Sequence, residues 1–395
     1  MLTRLCCTAA LVTGICLFSI SSCSQKTPKT LPVIDVIGAF DRTRSLLLTD
    51  IVESVEYVKL ETTPECLLGE GISVKIADRL YIHNAKTKQI LVFDRSGKFI
   101  GPIGSQGQGP GEYLNFAHFD VSQDGRLLAL GGFGEIYFYS TEGKFLRRTG
   151  MADVFPFLSG FLFLDPDHLA THQVRMNFSQ EAFPMMLLWD AKTLQADTIL
   201  RQDLTSLESD LPISFTYTSF YPYSGAISFM EAANDTLYEL NRDRKISPRL
   251  FFDCGDLALK EENLFKTGGK ASIKIYPACE TSKFLLFGAS KGDDYCLMAY
   301  NKKSGETFRL PERISNLDGK SVLYGPENDL DGVDLTFNGP KINDGAWCSA
   351  LQIADLKDFF NSYRSVETHN YASLRQLTEA SDLYDNPIIR IIHWK

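Results

Sequence analysis

ILVFDRSGKFIGPIGSQGQGPGEYLNFAHFDVSQDG, residues Ile90 to Gly125, decides how the rest of the chain reads. A strand-like run, Ile90 to Phe93, ends at Asp94. Arg95-Ser96-Gly97 turns the chain and Lys98 to Ile103 runs back. Gly101, Gly104, Gly107, Gly109 and Gly111 then lead to a third run, Phe116 to Val121, and a further turn. Glycine adopts positive φ at little steric cost, so it marks the bends. The stretch reads as the seam between two blades of a β-propeller. Phosphate-binding glycine loops open a helix whose N-terminus faces the anion. Here a strand pattern follows, so the loop is predicted to be an inter-blade connection, with Glu112 and Tyr113 as candidates for the funnel mouth.

Working outward, the same unit recurs. An apolar strand ends in a bulky residue, a small polar residue follows, and the chain turns: Phe93-Asp94, Tyr139-Ser140, Trp189-Asp190, Leu240-Asn241 and Tyr300-Asn301. The polar members are spaced 46, 50, 51 and 60 residues apart, a period that suits four short strands and their loops. Candidate innermost strands are Ser73–Ile76, Ala117–Val121, Gly160–Leu164, Phe215–Ser219 and Ser272–Ile275. A more irregular sixth blade is predicted after Arg313 from Val322–Tyr324, Val333–Phe337, Trp347–Ile353 and Ile388–Trp394. The fold class is therefore all-β, a six-bladed propeller with a short helical insertion in the last blade. The insertion rests on Asp355–Tyr363, where Leu356, Phe359, Phe360 and Tyr363 share a face, and on Ser373–Leu383, with Leu374, Leu377 and Tyr384. Free edge strands invite aggregation, so the ring is expected to close between Val55–Leu60 and Ile388–Trp394. A short strand is expected at Val33–Ile37.

The 395 residues carry a net charge of -9. An acidic chain without a long basic block is a poor candidate for nucleic acid or for anionic lipid surfaces. Within Met1–Ser22 the only charge is Arg4, and Leu5 to Ile20 is mostly apolar. That run is short for a spanning helix and suits a signal peptide. It ends in Ile20-Ser21-Ser22-Cys23, which resembles a bacterial lipobox with Cys23 as the lipidated residue. Residues 23–31 then read as lipidated cysteine and tether, and 32–395 as the propeller. The expected site is the bacterial cell envelope, as an outer-membrane lipoprotein. Ser24-Gln25-Lys26 lacks an acidic run, which leans toward the periplasmic side. Cys66, Cys254, Cys279, Cys296 and Cys348 form no CxxC pair, so no zinc or redox motif is visible.

Gly107-Gln108-Gly109-Pro110-Gly111-Glu112-Tyr113, flanked by "ILVFDRSGKFI" and "FDVSQDGRLLAL", looks like an NHL-type repeat. Together with "VEYVKLETT", Asn328-Asp329-Leu330-Asp331-Gly332 and the closing "DNPIIRIIHWK", the mature chain resembles the six-bladed β-propeller lipoproteins abundant in Bacteroidota. The resemblance implies a six-bladed propeller and an envelope lipoprotein; the family has no settled activity, so it assigns no residue a catalytic role.

Asp329, Asp331 and Asp334 surround Gly332 and form a candidate metal loop for calcium; a polar turn is the alternative. His118 lies on a strand placed innermost, and His168 and His172 are some 13 Å apart if both lie on one strand. Tyr217 stands in a dense group with Phe215, Phe220, Tyr221 and Tyr223, suited to stacking on a ligand or to inter-blade packing. No GxSxG elbow occurs. The reading is a monomeric, non-catalytic envelope lipoprotein that binds a protein or glycan ligand at one propeller face, with Glu112, Tyr113, His118 and Tyr217 as candidates. The alternative is a propeller-type lyase or hydrolase acting on glycans or lactones with a channel metal.

Overall fold

Six antiparallel fans follow one another along the chain. The computed structural model describes residues 31–395 except 70, 132–134, 151–157, 174, 177–182, 203–214, 217–218, 265–271, 318–319, 336–341, 344 and 363–367. Blade 1 is Ser73–Ile76, Leu80–Asn84, Gln89–Phe93 and Phe99–Ile103; blade 2 runs from His118–Val121 to Phe145–Gly150. Blade 3 runs from Leu158–Asp165 to Ala196–Gln202, blade 4 from Ser219–Tyr223 to Ile246–Asp253, and blade 5 from Ile273–Glu280 to Thr307–Arg309. Blade 6 is Ile342–Asn343, Ala346–Leu351, Ile388–Trp394 and, outermost, the N-terminal strand Val52–Lys59. The expected closure is thus a strand pairing inside blade 6, from Val52↔Trp394 to Lys59↔Ile388 with a bulge at Glu53.

Burial follows strand position. Middle strands are covered on both faces by neighbouring blades and are almost continuously buried, as in Phe284–Lys291 and Ile388–Trp394. Outermost strands alternate, as in Phe145–Gly150, because one face meets a neighbouring blade and the other meets water. The small polar residue of the repeat caps the turn between the third and fourth strands. Asp94 Oδ1 accepts from the backbone N–H of Ser96 and Lys98 at 2.8 and 3.0 Å. Asp190 does so for Lys192 and Thr193, Asn241 for Lys245 and Asn301 for Lys303 and Ser304. Such side-chain acceptors satisfy backbone donors that the ladder leaves unpaired. Hydrogen bonds from Ser96 and Lys98 hold the Asp94 carboxyl below its ordinary range.

Several segments differ from the expectation. The innermost strand of blade 4 is Ser219–Tyr223 rather than Phe215–Ser219, and Phe215–Thr216 pairs with Arg175–Met176. Val322–Tyr324 pairs with Glu312–Ile314 in a separate hairpin. Val333–Leu335 forms no strand, and Thr336 and Phe337 lie outside the described residues. The N-terminal strand stops at Asp35, whose side chain accepts from Gly38 N and starts a helical turn, Val36–Ala39. It adds a parallel fifth strand to blade 4. The chain then passes the edge of blade 5, where Arg44 N donates to Arg309 O, before entering blade 6. The helical insertion is Ile353–Ser362 and His369–Glu379. Leu356, Phe359, Tyr371 and Leu374 pack with Val333, Leu351 and Ile388 against blade 6. Tyr384 lies beyond the second helix and is 86% exposed, so it takes no part in that face. Residues Pro32–Lys395 form one compact unit.

Candidate functional site

The order of strands sorts the loops. In a four-stranded antiparallel fan, the turns between strands one and two and between three and four lie at one end, and the remaining connections at the other. The first end has turns of at most five residues, such as 94–98 and 122–126. Apart from 36–51, which crosses from one end to the other, all longer connections belong to the other end, including 104–117, 310–341 and the helical insertion 352–387. Loops carried by a rigid frame are where binding residues collect.

On this loop-bearing face a cleft of about 570 Å³ lies between blades 6 and 1 and the hairpin Glu312–Tyr324. Ser73, Ser315, Ser321, Ser349, Gln352, Asp334 and Asp355 supply polar groups; Ile72, Leu317, Leu323 and Leu351 supply apolar ones. Asp355 sits in the first turn of Ile353–Ser362, where the helix dipole favours a carboxylate. Asp334 Oδ2 accepts from Ser315 Oγ at 2.9 Å and from Asn316 N at 2.6 Å, fixing the hairpin to the cleft wall.

The wall is held from behind by a buried ion pair. Arg390 and Asp331 are both 1% exposed and meet at 2.9 Å. Arg390 also donates to Ser349 Oγ, Val333 O and Asp334 O. Asp331 also accepts from Asn328 Nδ2, Val333 N and the Tyr57 hydroxyl. Burial, then the charge and hydrogen bond of Asp331, push the Tyr57 hydroxyl far above its ordinary value, so it stays a donor. Asn386 adds a second tie: its Nδ2 donates to Glu61 O and Cys66 O, and its Oδ1 accepts from Leu68 N. The segments VEYVKLETT, NDLDG and DNPIIRIIHWK therefore meet at one place, the closure of the ring.

The candidate residues are spread over different surroundings. Asp329 accepts from Thr49 N and Oγ1, Asp331 faces Arg390, and Asp334 faces the hairpin. The three carboxylates thus have separate partners. Among the described residues no group of three or more His, Cys, Asp or Glu is placed to hold a metal. Tyr113 is 0% exposed and its hydroxyl donates to Lys88 O, so it is a seam residue between blades 1 and 2 and not part of a mouth. Glu112 staples the glycine loop by accepting from Gly109 N at 2.8 Å. A Cβ at Gly107 would lie 2.0 Å from Glu112 Oε2, so a side chain there would displace this carboxylate. His118 opens the innermost strand of blade 2, half-buried, with its ring edge-on to Phe161 at 6.3 Å. Cys23 and Tyr217 lie outside the described residues. Tyr221 is buried and Tyr223 lies beneath Lys302 and Arg249 at 4.2 and 5.0 Å, so these two aromatics serve inter-blade packing.

His168 and His172 are directed apart. His168 Nδ1 meets Asp165, and His172 Nε2 meets Glu231 at 2.7 Å. At the opposite end of the axis, a cavity of about 310 Å³ contains Lys75 and Asp120, paired at 3.0 Å; Asp120 also accepts from Phe163 N. This links the innermost strands of blades 1, 2 and 3. Burial pushes the Cys254 and Cys296 thiols up to about 12 and about 11, which keeps them protonated and poor nucleophiles.

The family model described as "Domain of unknown function (DUF4934)" matches residues 31–393. The chain belongs to this family. No curated protein matches the DUF4934 chain. Among solved structures, it resembles a Bacteroides fragilis protein described as exported, with a TM-score of 0.64 and 19% identity over 93% of this chain and 100% of the other. A member of the DUF4221 family from Bacteroides vulgatus gives a TM-score of 0.43 and 12% identity, over 65% of this chain and 84% of the other. A Bacteroides thetaiotaomicron protein of unknown function gives 0.41 and 10%, over 86% and 76%. The first of these supports the six-bladed fold. Sequence reading missed Arg390, whose signal was a lone cation in the apolar strand IIRIIHW. Such a buried charge needs a partner.

Proposed function

We propose that this DUF4934 protein is an envelope lipoprotein, anchored through Cys23, whose propeller binds a glycan or protein ligand at its loop-bearing face without transforming it. The lipobox-like Ile20-Ser21-Ser22-Cys23 and the NHL-like loop support the anchor and the repeat type. The observation that carries the binding role is the cleft between blades 6 and 1, rich in hydroxyl and carboxylate groups and braced by a buried ion pair. Ligand sites combine apolar walls with a few fixed polar groups, and a rigid frame lowers the ordering cost of binding. Asp334 and Asp355 favour ligands rich in hydrogen-bond donors, such as sugars. The alternative, a metal-assisted lyase or hydrolase, finds no converging histidines among the described residues.

The test is a glycan and peptide array with the full-length protein, repeated with Asp355→Ala and Gln352→Ala. Any ligand found should lose about tenfold or more in affinity in Asp355→Ala, the size of one charge-assisted hydrogen bond, and a few-fold, roughly 2- to 10-fold, in Gln352→Ala, the size of a neutral one. Ligands that bind both variants as tightly as the parent would refute the assignment to this cleft.

A further inference from the structure

The axial cavity at the short-turn end is built differently from the cleft on the loop-bearing face. Its volume is about 310 Å³, at the small end of the range that ligand sites occupy, about 300–1,000 Å³. Lys75 of blade 1, Asp120 of blade 2, Phe163 of blade 3, Pro222 of blade 4 and Ala346 of blade 6 line it. The innermost strand of a blade has a ladder on one side only, so its other edge faces the axis with backbone groups to satisfy. Asp120 does this for blade 3, where its Oδ2 accepts from Phe163 N at 2.8 Å. Its Oδ1 meets Lys75 Nζ at 3.0 Å. Pro222 has no N–H to satisfy on its edge.

A brace between blades needs neither spare donors nor open space, and this pair has both. The partner of Lys75 Nζ among the described residues is Asp120, which leaves further ammonium donors. Each oxygen of Asp120 has taken one bond and has a lone pair left. The two side chains are 21% and 10% exposed, so both reach the cavity. At the rim, Gln123 Oε1 accepts from Arg242 at 2.7 Å, and its Nε2 donors remain for a ligand. Val121, Leu162 and Phe163 supply an apolar wall.

Charge then selects the class of ligand. Lys75 and Asp120 cancel, and His393 on the lining is matched by Glu56 at 2.9 Å. An anion drawn to Lys75 would face Asp120, and a cation drawn to Asp120 would face Lys75. A zwitterion would lose the hydration of two charges to meet a pair already made. A neutral molecule with neighbouring hydroxyls gains from both groups: one hydroxyl accepts from Lys75 Nζ and the next donates to Asp120, while the carbon face of the ring lies on the apolar wall. We propose that this axial mouth binds one neutral hexopyranose residue through Lys75, Asp120 and Gln123, independently of the cleft between blades 6 and 1.

The experiment is a saturation-transfer NMR titration of the full-length protein with glucose, galactose, mannose and N-acetylglucosamine at millimolar concentration. Glucuronate, glucosamine and alanine serve as charged comparators. At least one neutral sugar should bind, and more tightly than every comparator. Lys75→Met should weaken it about tenfold or more, the size of a charge-assisted hydrogen bond, and Gln123→Ala about 2- to 10-fold. Gln123 is exposed, so its variant keeps the test open should Lys75→Met fail to fold. Asp355→Ala, on the loop-bearing face, should leave this affinity unchanged, so the two sites fail separately. Four results would overturn the inference: no binding of any of these sugars, tighter binding of a charged comparator, unchanged affinity in the folded variants at 75 and 123, or a loss in Asp355→Ala alone.

Discussion

Arg390 shows how one residue can carry a structural role that sequence reading understates. Its guanidinium meets Asp331, Val333 O, Asp334 O and Ser349 Oγ, all at the ring closure. Replacing it with leucine leaves Asp331 charged and buried, which costs about 3–5 kcal/mol. Combining Arg390→Leu with Asp331→Asn should restore part of that loss, and urea unfolding of the four proteins of the cycle measures how much. Glu280 is a second such residue. Burial alone would raise its carboxyl, but Arg249, through paired contacts at 2.5 and 2.6 Å, and Lys302 at 2.7 Å hold it below its ordinary value. A depressed carboxyl contributes stability that is fully present above its unfolded value of about 4.3 and is lost as pH falls through the folded value. Melting temperatures across the acid range should therefore drop less steeply for Glu280→Gln than for the parent, from a lower starting point. The turn-capping Asp94, Asp190, Asn241 and Asn301 were legible because each follows an apolar run. Tyr113 was misplaced because a residue after five glycines reads as loop, while its burial depends on packing against the neighbouring blade.

At the scale of the element, turns and edges decide what the sequence reveals. Blades 1 and 2 were legible nearly to the residue, since their strands end at glycine turns with a side-chain cap. Blade 6 was not, because its innermost strand, Ile342–Asn343, has two residues and therefore no period. The hairpin Glu312–Tyr324 resembles a blade strand in composition and differs only in its partner. The glycines differ too. Gly97 has φ +90°, and an added Cβ would lie 2.1 Å from Lys59 O, on the strand that closes the ring. Gly305 has φ +75° with open space around it. Gly305→Ala should cost about 1 kcal/mol from backbone strain alone, and Gly97→Ala roughly 2–3 kcal/mol from strain and the clash. Chemical denaturation midpoints of the two variants check that order.

At the scale of the whole molecule, the strand Val52–Lys59 completes the last blade. Val52–Lys59 and Ile388–Trp394 pair from end to end around one bulge at Glu53, and Lys395 N reaches Ile51 O. The cleft between blades 6 and 1 depends on that closure for its shape. The function proposed for the loop-bearing face is a property of this frame, because the cleft walls come from segments more than 300 residues apart in sequence, such as Ser73 and Arg390. A direct measurement is available at Ser54 and His393, which are register partners. Antiparallel partners have Cα atoms about 4.5–5.5 Å apart, within disulfide range. In the double variant Ser54→Cys/His393→Cys, peptide mapping under oxidising conditions should find an intramolecular disulfide between these positions, with a raised melting temperature. Cross-linking only between molecules, or two free thiols in the folded protein, would contradict the closed six-bladed ring.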